Sequence, residues 1–174
     1  IVNWDFEMKD PGFFELPETG RVFRGWRKGG HGKVNMHKAF LVSSNTYFFS
    51  LAYQADIEEL SNHLFSLGFG QKVCLDCYDE DQALVPTPEW KYSIMNAGWV
   101  KGDTVNLGIG QGYLLATPMQ LANYASLLAK KGIFSEPSIV KLESTKKSLK
   151  IWQDDKFDDS DWNKMHQALL GVIE

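Results

Sequence analysis

The chain lacks the features that several large function classes require. Its basic residues do not outnumber its acidic ones: the net charge is −4 over 174 residues, with both signs interspersed. No cationic footprint for a phosphate backbone is expected, and nucleic acid is not an expected partner. No apolar run approaches the roughly 20 residues that a membrane helix needs, and the opening IVNWDFEM has neither a basic n-region nor an apolar h-region. Any membrane anchor is expected outside these residues. Cysteine is scarce, with only Cys74 and Cys77, in KVCLDCYDE. That C-x-x-C lacks both the second ligand pair of a zinc ribbon and the βαβ setting of a redox motif. The two cysteines are read as packing residues, with a disulfide across the short loop as the alternative. No H-E-x-x-H occurs, and the glycines at 108, 110 and 112 lack dinucleotide-fingerprint spacing. No period of roughly 20 to 50 residues repeats. Neither a cofactor nor a metal is expected.

What the chain does have is apolar residues (44%) and aromatic residues (13%). At this length a single core buries roughly 70% of the unfolded surface. One globular domain is expected, or a piece of one. The apolar helical pattern of ALLGVIE runs on without a stop signal, which favours a piece of a longer protein.

Residues 1–34 read as an aromatic, loop-rich segment, with a strand-like alternation at Trp4, Phe6 and Met8 and a turn at Asp10-Pro11-Gly12. Phe13, Phe14, Phe23 and Trp26 are expected to pin it to the core. Asn35 suits the N-cap of a helix to about Val42, and a second apolar helix is expected from about Thr46 to Gln54. Asp56 and Glu59 begin a third, with Ile57, Leu60, Leu64 and Leu67 on one face and Gly68 as its stop. Thr87-Pro88 opens a short helix to about Asn96. Val105, Leu107 and Ile109 alternate as in a half-buried strand. Thr117, Pro118 and Gln120 start a helix with an expected stripe of Leu121, Tyr124, Ala125 and Leu128, closed by Gly132. Residues 138–152 read as extended, and DDSDW begins a last helix through Trp162, Met165 and Leu169.

Ser43, Ser44 and Asn45 interrupt good core-forming sequence, AFLV before and YFFSLAY after. In one continuous helix Ser43 and Asn45 would point about 200° apart and share no site. If the helix breaks there and the chain extends locally, residues two apart project to one side. A hydroxyl that can relay a proton and an amide that both donates and accepts then converge on one ligand. The alternative is that Asn45 caps the second helix and the serines fill a loop.

The segment VSSNTYFFSLAY, followed by GWVKGDTVNLGIGQGYLLATPMQLA, resembles the transpeptidase domain of class B penicillin-binding proteins, and among them the penicillin-binding protein 2 group of rod-shaped bacteria. The second stretch is similar to that family's signature in Asp103, Thr104, Ile109, Gly110, Gln111, Gly112, Thr117, Pro118 and Gln120. DPGFFELP and the Gly-His-Gly at 30 to 32 resemble its approach to the S-x-N motif. The likeness covers about residues 10 to 137.

The resemblance implies a serine acyltransferase with three motifs, S-x-x-K, S-x-N and K-T-G or K-S-G. Only the second is present in the right order, at Ser43 and Asn45, which the likeness makes the catalytic pair: Ser43 as proton relay, Asn45 as holder of the substrate's peptide group. A formal S-x-x-K at Ser144 to Lys147 comes after S-x-N, in a charged stretch. It is read as a decoy, since a solvated lysine is protonated at neutral pH and a poor base. Some relatives carry zinc beside S-x-N on two Asp, one His and one Cys. Here Asp10 and His31 match, but Gly25 and Ser44 stand at the other two positions, so no zinc is expected.

The implied fold is an α/β penicillin-binding, serine β-lactamase-like fold, represented here mainly by its helical subdomain with a few strands. Residues 1–174 are taken as the central part of one domain: an approach segment at 1–34, a helical subdomain with S-x-N and GIGQG at 35–137, and an extended segment with a final helix at 138–174. The implied activity is a peptidoglycan D,D-transpeptidase or carboxypeptidase, this piece being inactive alone. Implied partners are stem peptides, β-lactam antibiotics, a glycan-polymerising membrane enzyme and elongation scaffold proteins. The implied location is the periplasmic side of a bacterial inner membrane. A non-catalytic binding module on the same scaffold is the rival reading.

Overall fold

The computed structural model describes residues 4–140, 149–151 and 157–173. Two short antiparallel pairs come first, the second inserted within the first: β1 (Met8–Asp10) pairs with β4 (Gly32–Val34), and β2 (Phe13–Glu15) with β3 (Val22–Arg24). Then come α1 (Met36–Leu41), α2 (Asn45–Gln54), α3 (Ile57–Ser66), α4 (Pro88–Met95), α5 (Lys101–Leu107) and α6 (Pro118–Ala129). β5 (Ile133–Ser135) pairs with β6 (Leu149–Ile151), and α7 (Asp159–Gly171) follows. The chain is helix-rich with a few short strands, as its pattern predicts.

Helix starts follow local chemistry. Asn35, Asp56, Thr87 and Thr117 each accept a backbone N–H of the first turn that has no carbonyl partner. Pro88 and Pro118 stand at the first helical position, where no N–H is needed. Asn96, in the left-handed region, ends α4.

α2 is the central element. Tyr47 (fully buried) and Phe49 face opposite partners: Tyr47 packs with Val34 and Ala39, and Phe49 with Leu16, Phe23 and Val105. Each such buried side chain contributes about 1.5–3 kcal/mol. The backbones of α2 and the end of α5 approach so closely that a Cβ on Gly108 would lie 2.2 Å from the Ala52 Cβ. α7 supports α1 from behind; its Asp161 accepts the Trp4 indole N–H at 2.9 Å, and Gly171 sits against Leu41.

Several expectations fail for identifiable reasons. Residues 101–107, read in part as a strand, form α5: the Asp103 carboxylate accepts the Val100 N–H at 3.0 Å and Gly102, Thr104, Val105 and Leu107 are all buried. A seven-residue element with four buried positions is too short for its period to separate helix from strand. In α6 the inward line is Gln120, Asn123 and Leu127, while Leu121 is 53% exposed. Gln120 faces inward because its amide donates to the carbonyls of Gln71 and Gln82, both at 2.9 Å, which satisfies a buried polar group. The first strand starts at Met8, and Phe13 and Trp26 stay largely exposed. Cys74 and Cys77 are disulfide-bonded, with Cα atoms 5.5 Å apart, so the packing reading gives way to the alternative. Of the expected extended segment, 141–148 and 152, with the Ser144 to Lys147 decoy, lie outside the described residues.

Candidate active site

The helix does break at the polar triplet. α1 ends at Leu41, Ser43 takes a left-handed backbone (φ 49°), and Ser44 returns to the extended region (φ −73°, ψ 97°) before α2 begins at Asn45. A left-handed serine costs roughly 1–3 kcal/mol and persists only where its surroundings enforce it. The three side chains divide accordingly: Ser43 is exposed, Asn45 half-buried and Ser44 buried. It is Ser44, not Asn45, that caps α2, its Oγ accepting the Tyr47 N–H at 3.3 Å. Asn45 is thereby free of the capping role left open from sequence.

Two sets of contacts surround this turn. Beneath it, the Ser44 hydroxyl donates to the Asp10 Oδ2 at 2.6 Å, the His31 Nδ1 lies 2.9 Å from the same oxygen, and the Gly12 N–H reaches Oδ1 at 2.7 Å. Asp10 is only 2% exposed. Burial pushes its pKa up, but the bonds from Ser44, His31 and Gly12 prevail and hold it below the ordinary aspartate value. Outside the turn, the Trp26 indole N–H is shared between the carbonyls of Val42 (3.1 Å) and Ser43 (3.0 Å). Its ring stands 5.3 Å from that of His31. Only glycine lets these loops meet: a Cβ on Gly30 (φ 72°) would fall 2.1 Å from the Asp10 carbonyl oxygen.

Asp10, His31 and Ser44 do gather, with Gly25 adjacent to Thr46. The donor set nevertheless does not fit zinc. A hydroxyl and a bare glycine replace two ligands, and the remaining carboxylate and imidazole bond to each other; a closed tetrahedral site needs four donors. The His31 Nε2, on the far side of the ring from Asp10, is buried without a hydrogen-bond partner. Among the described residues, the one group of three potential metal donors is Cys74, Asp76 and Cys77, where both sulfurs are in the disulfide.

The signature residues prove architectural. Asp103 pairs with the buried Lys91 at 2.6 Å, and Thr104 accepts the Trp99 indole N–H at 2.8 Å. Thr117 and Gln120 form a reciprocal capping box. A cavity of about 280 Å3 lined by Glu58, Ser61, Phe65, Thr87 and Glu89 includes no residue of the S-x-N turn. The parts that sequence reasoning missed are Trp26 as an anchor of the turn and Ser44 as its buried hinge. The available signal was weak: an indole one residue past Gly25, and a small polar residue flanked by Ser43 and Asn45.

Comparison with known proteins agrees with this architecture. The family described as "Penicillin binding protein transpeptidase domain" matches residues 2–174. The peptidoglycan D,D-transpeptidase MrdA of Acinetobacter baumannii is 39% identical over 180 residues, covering 100% of this chain and 27% of that protein. The MrdA of Haemophilus influenzae is 42% identical over 141 residues, 81% of this chain and 22% of its own length. The chain therefore spans about a quarter of these relatives. Among solved structures, PBP2 of Pseudomonas aeruginosa in complex with WCK 5153 superposes with TM-score 0.84 at 33% identity, covering 96% of this chain and 39% of that one. PBP2 of Helicobacter pylori in complex with MreC gives 0.84 at 32%, covering 98% and 31%. Sequence, signature and backbone agree, and the chain belongs to the penicillin-binding protein transpeptidase domain family.

Proposed function

We propose that this chain is the central part of a peptidoglycan D,D-transpeptidase acting in cell elongation, and that Ser43 and Asn45 belong to its catalytic machinery. The observation that carries the reading is the strained turn at 43–45, which exposes one alcohol at the mouth of a helix while Ser44 turns inward. A hydroxyl held there can pass a proton to the leaving amine, and the Asn45 amide can hold a peptide group. The family order puts the nucleophilic S-x-x-K serine before S-x-N, and residues 1–42 hold no serine, so in this reading the nucleophile belongs to another part of the complete protein. Its oxygen attacks the carbonyl between the two terminal D-alanines of a stem peptide. The C–N bond breaks, the departing D-alanine takes a proton, and an ester remains on the serine. The amine of a neighbouring stem then attacks that ester, forming the cross-link and restoring the hydroxyl. Water in place of the amine gives carboxypeptidase activity. β-Lactams mimic the donor and stall the ester.

The isolated chain is inactive in this reading. Relatives named MrdA, and a PBP2 solved with MreC, support a place among elongation proteins such as a scaffold and a glycan polymerase. That setting is the periplasmic side of the inner membrane, with the anchor elsewhere in the protein. The test is to incubate the complete protein with a fluorescent penicillin and locate the adduct by peptide mass mapping. A covalent label on a serine outside residues 1–174, competed by stem pentapeptide, is expected. No covalent label, or one on Ser43 itself, refutes the assignment.

A further inference from the structure

Resting on the reading of Ser43 and Asn45 above, we infer that Asp10 and Trp26 are positioning residues that clamp the S-x-N turn from opposite sides without a metal. The turn contains a left-handed serine at Ser43, a conformation that no local sequence preference supplies. What holds it is visible. The Trp26 N–H pulls the Val42 and Ser43 carbonyls toward one point, and Asp10 pulls the Ser44 hydroxyl inward at 2.6 Å. With Ser44 drawn to the core, its neighbours on either side are turned toward the surface.

The strengths of the two arms differ for physical reasons. Asp10 is a buried carboxylate whose oxygens accept from Ser44 and Gly12, with His31 against Oδ2, and bonds to a charged acceptor are the stronger kind. Its own place is fixed by the Gly12 and Gly30 backbone contact. Trp26 is 66% exposed, so its ring contributes little burial, and the shared N–H is its principal link to the turn. A tryptophan that exposed yet bonded to two main-chain carbonyls of a catalytic turn is better explained by aiming the turn than by stability.

The two roles separate experimentally in the complete protein. Penicillin acylation is resolved into the dissociation constant and the acylation rate constant, with the melting temperature alongside. Trp26→Phe keeps the ring and loses the donor. Asp10→Asn keeps an acceptor for the Ser44 hydroxyl but loses the charge, and spares the Ser44 cap on α2. The acylation constant is expected to fall about threefold to tenfold for Trp26→Phe, the size of one lost hydrogen bond. A fall of about 10- to 100-fold is expected for Asp10→Asn, the scale of a small misplacement of a catalytic group. For Trp26→Phe the dissociation constant and melting temperature stay near wild type. If Asp10→Asn does not fold, Trp26→Phe decides alone. Acylation constants within twofold of wild type overturn the clamp, whatever happens to stability. Ser43→Ala run beside them separates the two levels: if it too acylates normally, the reading of Ser43 fails; if only it is slow, the clamp alone fails.

Discussion

Replacing Asp103 by asparagine tests how the scaffold under the site is held. Asp103 has two tasks: its Oδ2 accepts the Val100 N–H at the start of α5 at 3.0 Å, and the same oxygen pairs with the Lys91 ammonium at 2.6 Å. Both side chains of the pair are nearly sealed from solvent, at 8% and 13% exposure. The asparagine amide oxygen can still accept the Val100 N–H, so the capping loss, typically about 1 kcal/mol, is largely avoided. What remains is a buried ammonium without its counter-charge, which costs about 3–5 kcal/mol. The contact of Lys91 with the Tyr113 ring, 5.8 Å from its centroid, recovers only part of that. The double variant Lys91→Met, Asp103→Asn removes both charges and should recover most of the loss, because a neutral pair whose amide still accepts the Val100 N–H leaves no lone buried charge. Urea unfolding of the complete transpeptidase domain, with a check that slopes agree between variants, measures each value. A loss below about 1 kcal/mol for Asp103→Asn, or a double variant no better than the single, would refute the ion pair as the anchor of α5.

Other consequences can be checked separately. Gly108→Ala places a methyl 2.2 Å from the Ala52 methyl, so α2 and α5 must part; the expected loss is about 1–3 kcal/mol by denaturant unfolding. The Asp76 carboxylate accepts the Ile139 and Val140 N–H groups and the Ser138 hydroxyl, which hold its pKa below the ordinary aspartate value of 3.8. Because these bonds from residues 138–140 depress its pKa, their support is full above the ordinary value and is lost as pH falls through the lower pKa of the bonded state. Amide exchange of Ile139 and Val140, corrected for intrinsic rates, should accelerate there in wild type, and Asp76→Asn should remove the dependence. Dialysis of the complete protein against a strong chelator should leave penicillin acylation unchanged, since His31 and Ser44 both bond directly to Asp10; a chelator-induced loss restored by zinc contradicts that.

Local chemistry wrote its part of this fold legibly. The caps at Asn35, Asp56, Thr87 and Thr117 marked helix starts that the structure keeps, because a side-chain acceptor three residues before a free N–H acts within one turn. The break at the triplet was legible for the same reason: two strong apolar runs cannot share a continuous helix through three small polar residues that compete for the backbone. Tertiary burial was not legible. Val105 and Leu107 looked like a strand because a seven-residue helix with Gly102, Thr104, Val105 and Leu107 all buried is too short to show a clear polar stripe. Gln120 was legible as part of a helix start, but its burial was not, because nothing near it in sequence announces the carbonyls of Gln71 and Gln82. At the site, Ser43 and Asn45 stood out as a pattern. Asp10, 34 residues from Ser44, was placed beside the turn only through the family likeness, and Trp26, acting across 17 residues, was not placed there at all, because spacing carries no information over such distances.

The most direct measurement is the second-order rate of penicillin acylation for Ser43→Ala in the complete protein. Ser43 is exposed and makes no side-chain bond among the described residues that its fold needs, so the variant should melt near wild type. Its acylation should slow by about 100-fold or more, the usual contribution of a positioned proton-transfer group. A wild-type rate would contradict the account, since the turn would then carry no chemistry.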